Sequence, residues 1–239
     1  MNNTNQSSNK GKIKVTKNGP YLVSGGLPLK KEIIITDEEH CPVKWQAGKE
    51  YPVEENYALC RCGRSDHKPF CDGTHGRTGF TCRDADTREK FADQAQDIEG
   101  PDLILKDAPK LCASARFCHR AAGTWNLTMY SDNPESKKTA IEEANDCPSG
   151  RLVACEKKTR EPIENKREPS ISLVEDPDQE VSGPLWVKGN VPIESSDGKE
   201  YERRNRITLC RCGQSGNKPY CDGSHVEAGF NDGDKLLKE

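Results

Sequence analysis

The chain is poor in the material of a large core: hydrophobic residues make up 32% of its 239 positions, aromatics only 6%, and there are two methionines. So thin a composition argues against one large self-sufficient core and favours small modules held by something besides apolar packing. No apolar run approaches the eighteen or so residues of a membrane span, and the Asn/Ser-rich opening from Met1 to Lys10 lacks the apolar centre of a signal segment. A protein without membrane contact, in the cytoplasm, is the expectation. A basic excess is missing too, since the net charge is -3, which leaves no field for nucleic acid. Nothing resembles a hydrolase triad, a phosphate loop or a dinucleotide fingerprint, so an enzyme is not expected.

Cysteine, by contrast, is abundant, with twelve in the chain. Eight chemistry-bearing residues form one pattern, Cys-x-Cys-x8-Cys-x3-His, written twice: Cys60, Cys62, Cys71 and His75, then Cys210, Cys212, Cys221 and His225. Soft thiolates with an imidazole at this spacing are a metal-binding set, and reduced thiolates place the protein in a reducing compartment. Cys-Arg-Cys-Gly at 60–63 recurs at 210–213, and Lys-Pro-aromatic-Cys-Asp-Gly at 68–73 recurs at 218–223. The match extends upstream, from Gly19-Pro20 against Gly183-Pro184 to Pro28-Leu29 against Pro192-Ile193. Whole modules are repeated.

Short strands are expected at Tyr21–Val23 and Lys31–Thr36, and strand-like backbone at Ala58-Leu59 and Thr208-Leu209 feeds each first ligand. Asp72-Gly73 and Asp222-Gly223 supply turns ahead of a helical start, so that the Cys-x3-His pairs share a face. Asp72 and Asp222 are candidates for hydrogen bonds that support the ligands, or simple turn formers. The arginines around the motifs, Arg61, Arg64, Arg203, Arg204, Arg206 and Arg211, read as a solvated surface or a docking patch for an acidic partner.

Three cysteines and a histidine accept either one tetrahedral zinc or an iron-sulfur cluster. Zinc knuckles usually separate the first pair by two to four residues; one intervening residue and a long loop suit two adjacent metals better. Cys60 and Cys62 can then hold one iron and Cys71 and His75 the other, and likewise in the second copy.

Cys-Asp-Gly-Thr-His at 71–75 and Cys-Asp-Gly-Ser-His at 221–225 resemble the signature of CDGSH iron-sulfur proteins, in their tandem-motif, mitoNEET-like group. Thr74 departs from the usual serine but keeps a hydroxyl. The resemblance implies two 2Fe-2S clusters, each on three Cys and one His. It also implies one-electron transfer, cluster transfer, or both, with redox or cluster-acceptor proteins as partners. The fold it implies is α+β: two β-rich modules packed about a pseudo-two-fold axis with exchanged strands, within a monomer. The Gly-Pro strands at 19 and 183 are the candidates for exchange. A neutral imidazole ligand raises the potential over an all-cysteine centre, and its protonation competes with iron, so acid should loosen the cluster.

The expected organisation is a disordered tail over 1–18, a first module over 19–100, a central segment and connector over 101–175, and a second module over 176–239. In the centre, Asn133-Pro134 reads as a helix cap, with Ala140, Ile141 and Ala144 on one face before Cys147-Pro148. Cys112, Cys118 and Cys147-Pro148 resemble a divergent single-cluster ferredoxin, with Cys155 as a possible fourth ligand. Against this, a regular helix over 109–122 would point Cys112 and Cys118 about 120° apart and make Leu111, Ala115, Cys118 and Ala122 a core stripe. Both readings stay open. Cys41 and Cys82 lack partners at convincing spacing, and His40, His67 and His119 are expected at the surface or in packing.

Overall fold

The computed structural model describes residues 11–82 and 88–233. Five strands, β1 (Lys12–Val15), β2 (Tyr21–Ser24), β3 (Leu29–Thr36), β4 (Pro42–Tyr51) and β5 (Asn56–Leu59), lead to the first quartet and the single helical turn α1 (Thr74–Arg77). The central part follows as α2 (Phe91–Gln94), β6 (Gln96–Glu99), β7 (Leu103–Asp107), α3 (Thr124–Met129), α4 (Pro134–Asp146) and β8 (Leu152–Glu156). The chain then forms β9 (Ser170–Asp176), β10 (Val181–Lys188), β11 (Ile193–Glu194), β12 (Arg206–Leu209) and the turn α5 (Ser224–Glu227). The fold is α+β, mostly strands.

Two sheets form the body, ordered β11-β1-β2-β5 and β12-β10-β9-β3-β4. The first takes β11 from the second half of the chain, and the second takes β3 and its hairpin partner β4 from the first half. β3 leaves its own module to lie parallel to β9, with Leu29 opposite Ile171, and β11 returns the exchange by lying parallel to β1, with Ile13 opposite Ile193. The exchange therefore falls on the segments beginning at Leu29 and Ile193. The Gly-Pro strands at 19 and 183 stay at home, pairing antiparallel with β5 and β12 and so aligning the backbone that carries each first cysteine. They stay because the matched turns after them, not before them, carry the chain across the axis.

Strand alternation puts Ile13, Val15, Tyr21, Val23, Leu59, Leu185, Val187 and Leu209 into one core between the sheets. β1 lies within the stretch expected to be tail: Ile13 and Val15 are wholly buried, and two apolar residues on one face are enough to recruit it. The expectation for residues 1–10 lies outside the described residues. β9 likewise lies in the expected connector and is buried along nearly its whole length.

The outer faces of the two sheets differ. β2 alternates, with Leu22 44% exposed, whereas every residue of β10 is buried. The central segment covers that side: Trp186, Val174 and Ile34 pack with Phe117 and Ala115, and Trp45 stacks on Phe117 with ring centroids 4.7 Å apart. Within this segment β6, β7 and β8 form an antiparallel sheet, and α4 begins as expected, with the Asn133 side chain accepting from the amides of Glu135 and Ser136. Ala140 and Ala144 are buried on its inner face.

The helix expected over 109–122 does not form. Two short 3-10 turns, Pro109–Leu111 and Phe117–His119, flank a loop in which Ser114 and Arg116 have φ of 55° and 63°. Arg116 is drawn out of helical geometry by Asp176 and Asp178, to which its guanidinium donates at 2.5 and 3.0 Å. Ala115 and Phe117 meanwhile point at Trp186. Tertiary contacts outweigh the helical spacing of Leu111, Ala115 and Cys118.

Candidate metal centres

Each quartet sits on a loop braced in the same way. Ser65 Oγ donates to the Phe70 carbonyl at 2.7 Å and accepts from the His67 amide; Ser215 does the same with Tyr220 and Asn217. The Lys68-Pro69 and Lys218-Pro219 bonds are cis, and both lysines donate from Nζ to the carbonyls of Ser65 and Ser215. The aspartates clamp the loop ends: Asp72 accepts from the amides of Asp66 and Thr74, both at 2.9 Å, and Asp222 accepts from those of Gly216 and Ser224 at 2.7 and 3.1 Å. These amide bonds hold Asp72 well below the usual carboxylate range. Both aspartates thus shape the loop through the backbone.

The donors meet in pairs. Cys60 and Cys62 bring their sulfurs to 3.7 Å, Cys210 and Cys212 to 3.6 Å. Cys71 Sγ lies 3.4 Å from His75 Nδ1, and Cys221 Sγ lies 3.5 Å from His225 Nδ1. A tetrahedral metal with thiolates at about 2.3 Å spaces two sulfurs at about 3.8 Å, and a sulfur and an imidazole nitrogen at about 3.5 Å. Every pair therefore has the spacing of two corners on one metal. Among the described residues, no three His, Cys, Asp or Glu donors converge where a single ion would sit.

The environment is arranged for thiolate. The amides of Gly73 and Gly223 point at Cys71 and Cys221 Sγ, each at 3.5 Å, and that of Gln214 at Cys212 Sγ at 3.4 Å. Burial nonetheless pushes the thiols of Cys62, Cys71 and Cys221 up, so a positively charged metal core is needed to hold them ionised. The hydrogen bond between the Cys210 and Cys212 sulfurs lowers Cys210 and raises Cys212. Burial, then the nearby Arg211 charge, lowers His225 to about 4, keeping the ring neutral and free to ligate.

The two loops touch across the pseudo-two-fold axis. A Cβ on Gly63 would fall 2.4 Å from the Cys212 carbonyl oxygen, and one on Gly213 would fall 2.5 Å from that of Cys62. Only glycine allows this approach, and both glycines also have positive φ. Tyr21 adds an inter-module bond, its hydroxyl donating to the Cys210 carbonyl at 2.7 Å.

Several arginines read from sequence as a surface are interior. Arg61 donates to the carbonyls of Gly19 and Thr16 at 2.8 and 2.7 Å, and Arg211 donates to those of Gly183 and Val174 at 2.7 and 3.0 Å, tying each Cys-Arg-Cys turn to its neighbouring strands. Arg211 also meets Glu175 and Asp232, which bind the buried Lys31 as well. Arg206, 1% exposed, donates to the carbonyls of Cys147, Ala144 and Leu152. The recurrence of Cys-Arg-Cys-Gly in both copies was the available signal for Arg61, Arg211, Gly63 and Gly213; Arg206 had none.

The central cysteines do come together. Cys112, Cys118 and Cys147 line one small cavity with Arg151, which Asp107 holds at 2.6 and 2.9 Å. Burial, then the charges of Cys147 and Cys112, raises Cys118 to about 12. Cys155 is excluded from this set. It alternates with Ala154 along β8 and faces Ile104 and Val153 on the far side of the sheet, while Leu152 and Ala154 face Cys118 and Cys147. His40 and His67 are exposed, beside Asp178 and Asp72 respectively, and His119 packs beside Trp125.

Residues 18–76 and 182–226 match the family model described as iron-binding zinc finger, CDGSH type, and residues 98–157 match the one described as divergent 4Fe-4S mono-cluster. No curated protein matches the chain at a significant level. With paired Cys/His donors on two matching loops and three converging cysteines between them, the chain is an iron-sulfur protein of the tandem CDGSH family, carrying a ferredoxin-like segment between its modules.

Proposed function

We propose that the protein is a carrier of electrons or of intact clusters, holding a 2Fe-2S cluster in each quartet and a third, cubane-type cluster on Cys112, Cys118 and Cys147. The observation that carries this reading is the pairing of donors. Two Cys/Cys pairs and two Cys/His pairs, each spaced for one metal, fit a bridged two-iron unit and disfavour a single structural zinc in each loop.

When bound, a 2Fe-2S unit supplies one-electron redox chemistry, at about -1 total charge when oxidised on three thiolates and about -2 when reduced. The chain's own groups prepare for that charge. The amides of Gly73, Gly223 and Gln214 point at ligand sulfurs, and the neutral imidazoles of His75 and His225 remove one negative charge relative to a fourth thiolate. Both effects raise the potential. Protons compete with iron for the imidazole nitrogens, so acid weakens the hold of these two ligands. In the centre, three thiolates beside Arg151 suit a 3Fe-4S cluster or a 4Fe-4S cluster with one corner not held by cysteine.

The partners in this reading are redox or cluster-acceptor proteins, met by a monomer acting as a carrier in a reducing compartment such as the cytoplasm. Among the described residues no helix is long and apolar enough to cross a membrane. The test is the iron and acid-labile sulfide content of anaerobically purified protein, read with its visible spectrum. About seven or eight irons per chain are expected; about four would remove the central cluster, and stoichiometric zinc without sulfide would overturn the proposal.

A further inference from the structure

The two quartets share a ligand pattern but not surroundings. Cys221 and His225 are 2% and 4% exposed, whereas Cys71 and His75 are half-buried. The difference comes from the central segment, which lies on the second Cys-Asp-Gly turn. A Cβ on Gly223 would fall 2.4 Å from Ser114 Oγ and 3.6 Å from the Cys112 carbonyl, while one on Gly73 would meet nothing within 4 Å. Asn217 of the second loop donates from Nδ2 to the Lys110 carbonyl at 3.0 Å, pinning the same contact. The matching position in the first loop is His67, which is exposed.

Charge differs in the same sense. Lys17, Arg64 and Arg77 are exposed around the first site, with Asp66 and the amide-bound Asp72 the carboxylates of that loop. Lys17 lies on the turn that ends at Gly19, where an added Cβ would be 3.6 Å from His75 Nε2. Arg64 reaches the Thr78 carbonyl and Arg77 the Thr74 hydroxyl, so both guanidinium groups border the Cys-Asp-Gly-Thr-His turn. The matching positions at the second site are Gln214 and Glu227, and its matching strand turn carries Glu180 together with Asp178, whose charge is paired with Arg116.

We propose that the first CDGSH site is the outward-facing exchange site, presented by Lys17, Arg64 and Arg77 to an acceptor protein with an acidic docking surface, while the loop at 112–116 keeps the second site closed. This rests on the cluster reading above. In the exchange Cys60, Cys62, Cys71 and His75 each give up one bond to iron as one acceptor side chain takes it. Bonds made equal bonds broken, the cluster leaves whole, and no electron changes hands. Ligand substitution of this kind needs the incoming side chains to reach the metals. Half-buried Cys71 and His75 allow that approach; Cys221 and His225, under Ser114, do not.

The test uses the full holoprotein mixed with an acidic plant-type apo-ferredoxin, with samples alkylated over time and the Cys71 and Cys221 peptides measured by mass spectrometry. Cys71 should become alkylated at least roughly tenfold faster than Cys221. Equal rates, or Cys221 first, would overturn the assignment. Joint Arg64→Glu and Arg77→Glu reversal should slow exposure of Cys71 roughly tenfold at low salt, with the difference gone near about 0.5 M salt; an unchanged low-salt rate rules out the acidic partner. Joint Ser114→Gly and Asn217→Ala substitution removes the cap at a position whose positive φ glycine accepts. It should speed Cys221 labelling several-fold, and no change there means the loop is not the barrier. A purified protein lacking acid-labile sulfide would sink the cluster reading itself, a result separate from equal labelling in a sulfide-containing protein.

Discussion

His75 and His225 each put a neutral nitrogen where a fourth thiolate would add a negative charge. Replacing either with cysteine should lower the midpoint potential of its centre by roughly 100 mV or more and flatten that centre's pH dependence, measured by anaerobic redox titration at several pH values. Glu143 is the other residue with a chemical signature. It has no exposure; Thr124 Oγ1 donates to its Oε2 at 2.6 Å, while Oε1 lacks a hydrogen-bond partner among the described residues and the Arg120 Nε is 3.9 Å away. Burial dominates and raises its pKa from 4.5 to about 7. The folded state thus favours the protonated acid: that contribution is full below about 4.5 and is lost as pH rises through about 7. Glu143→Gln keeps the shape without the charge. It should stabilise the protein by about 2 kcal/mol at pH 8 and by close to nothing near pH 4, read from denaturant midpoints.

At the scale of elements, the glycine contact between the two ligand loops and the Arg206 clamp are the exposed points of the design. Gly63→Ala or Gly213→Ala drives a methyl against a backbone carbonyl of the opposite loop and adds strain at positive φ. A loss of about 3 kcal/mol is expected, together with poorer retention of both clusters. Gly73→Ala, also at positive φ but facing open space, should cost only about 1 kcal/mol. Paired thermal melts and sulfide assays check the contrast. Arg206→Ala frees three carbonyls, on Cys147, Ala144 and Leu152, in a buried interface. It should destabilise the central segment by about 3–5 kcal/mol and lower iron content toward the amount held by the two terminal sites, visible as loss of one spectroscopic component.

Across the whole molecule, strand exchange within one chain satisfies the edges that a single module would leave open. β3 finds its parallel partner in β9, and β11 finds its partner in β1. The intact chain should therefore scatter light as a monomer of about 26.6 kDa. A truncated form ending near Gly100 lacks β9 and β11, and should dimerise by mutual donation of β3, giving twice its own mass. A monomeric, folded truncated form would contradict the role assigned to the exchange.

Much of the candidate chemistry was legible because coordination is a local matter. Cys60, Cys62, Cys71 and His75 span sixteen residues, and the spacing with its Asp-Gly turn already implies where the donors can meet. Asn133-Pro134 announced α4 for the same reason, since a cap needs only its own first turn. The loop at 112–118 was not legible. Leu111, Ala115 and Cys118 imitate a helical stripe, and only Asp176, Asp178, Trp45 and Trp186, distant in sequence, pull it into a loop that gathers three cysteines. By itself the sequence determined two metal quartets and a repeated β module. Tertiary structure alone decided which strands cross, that Cys155 faces away from its neighbours, and which quartet is covered. Those outcomes depend on burying surfaces such as Trp186 against Phe117, whose partners the local pattern does not contain.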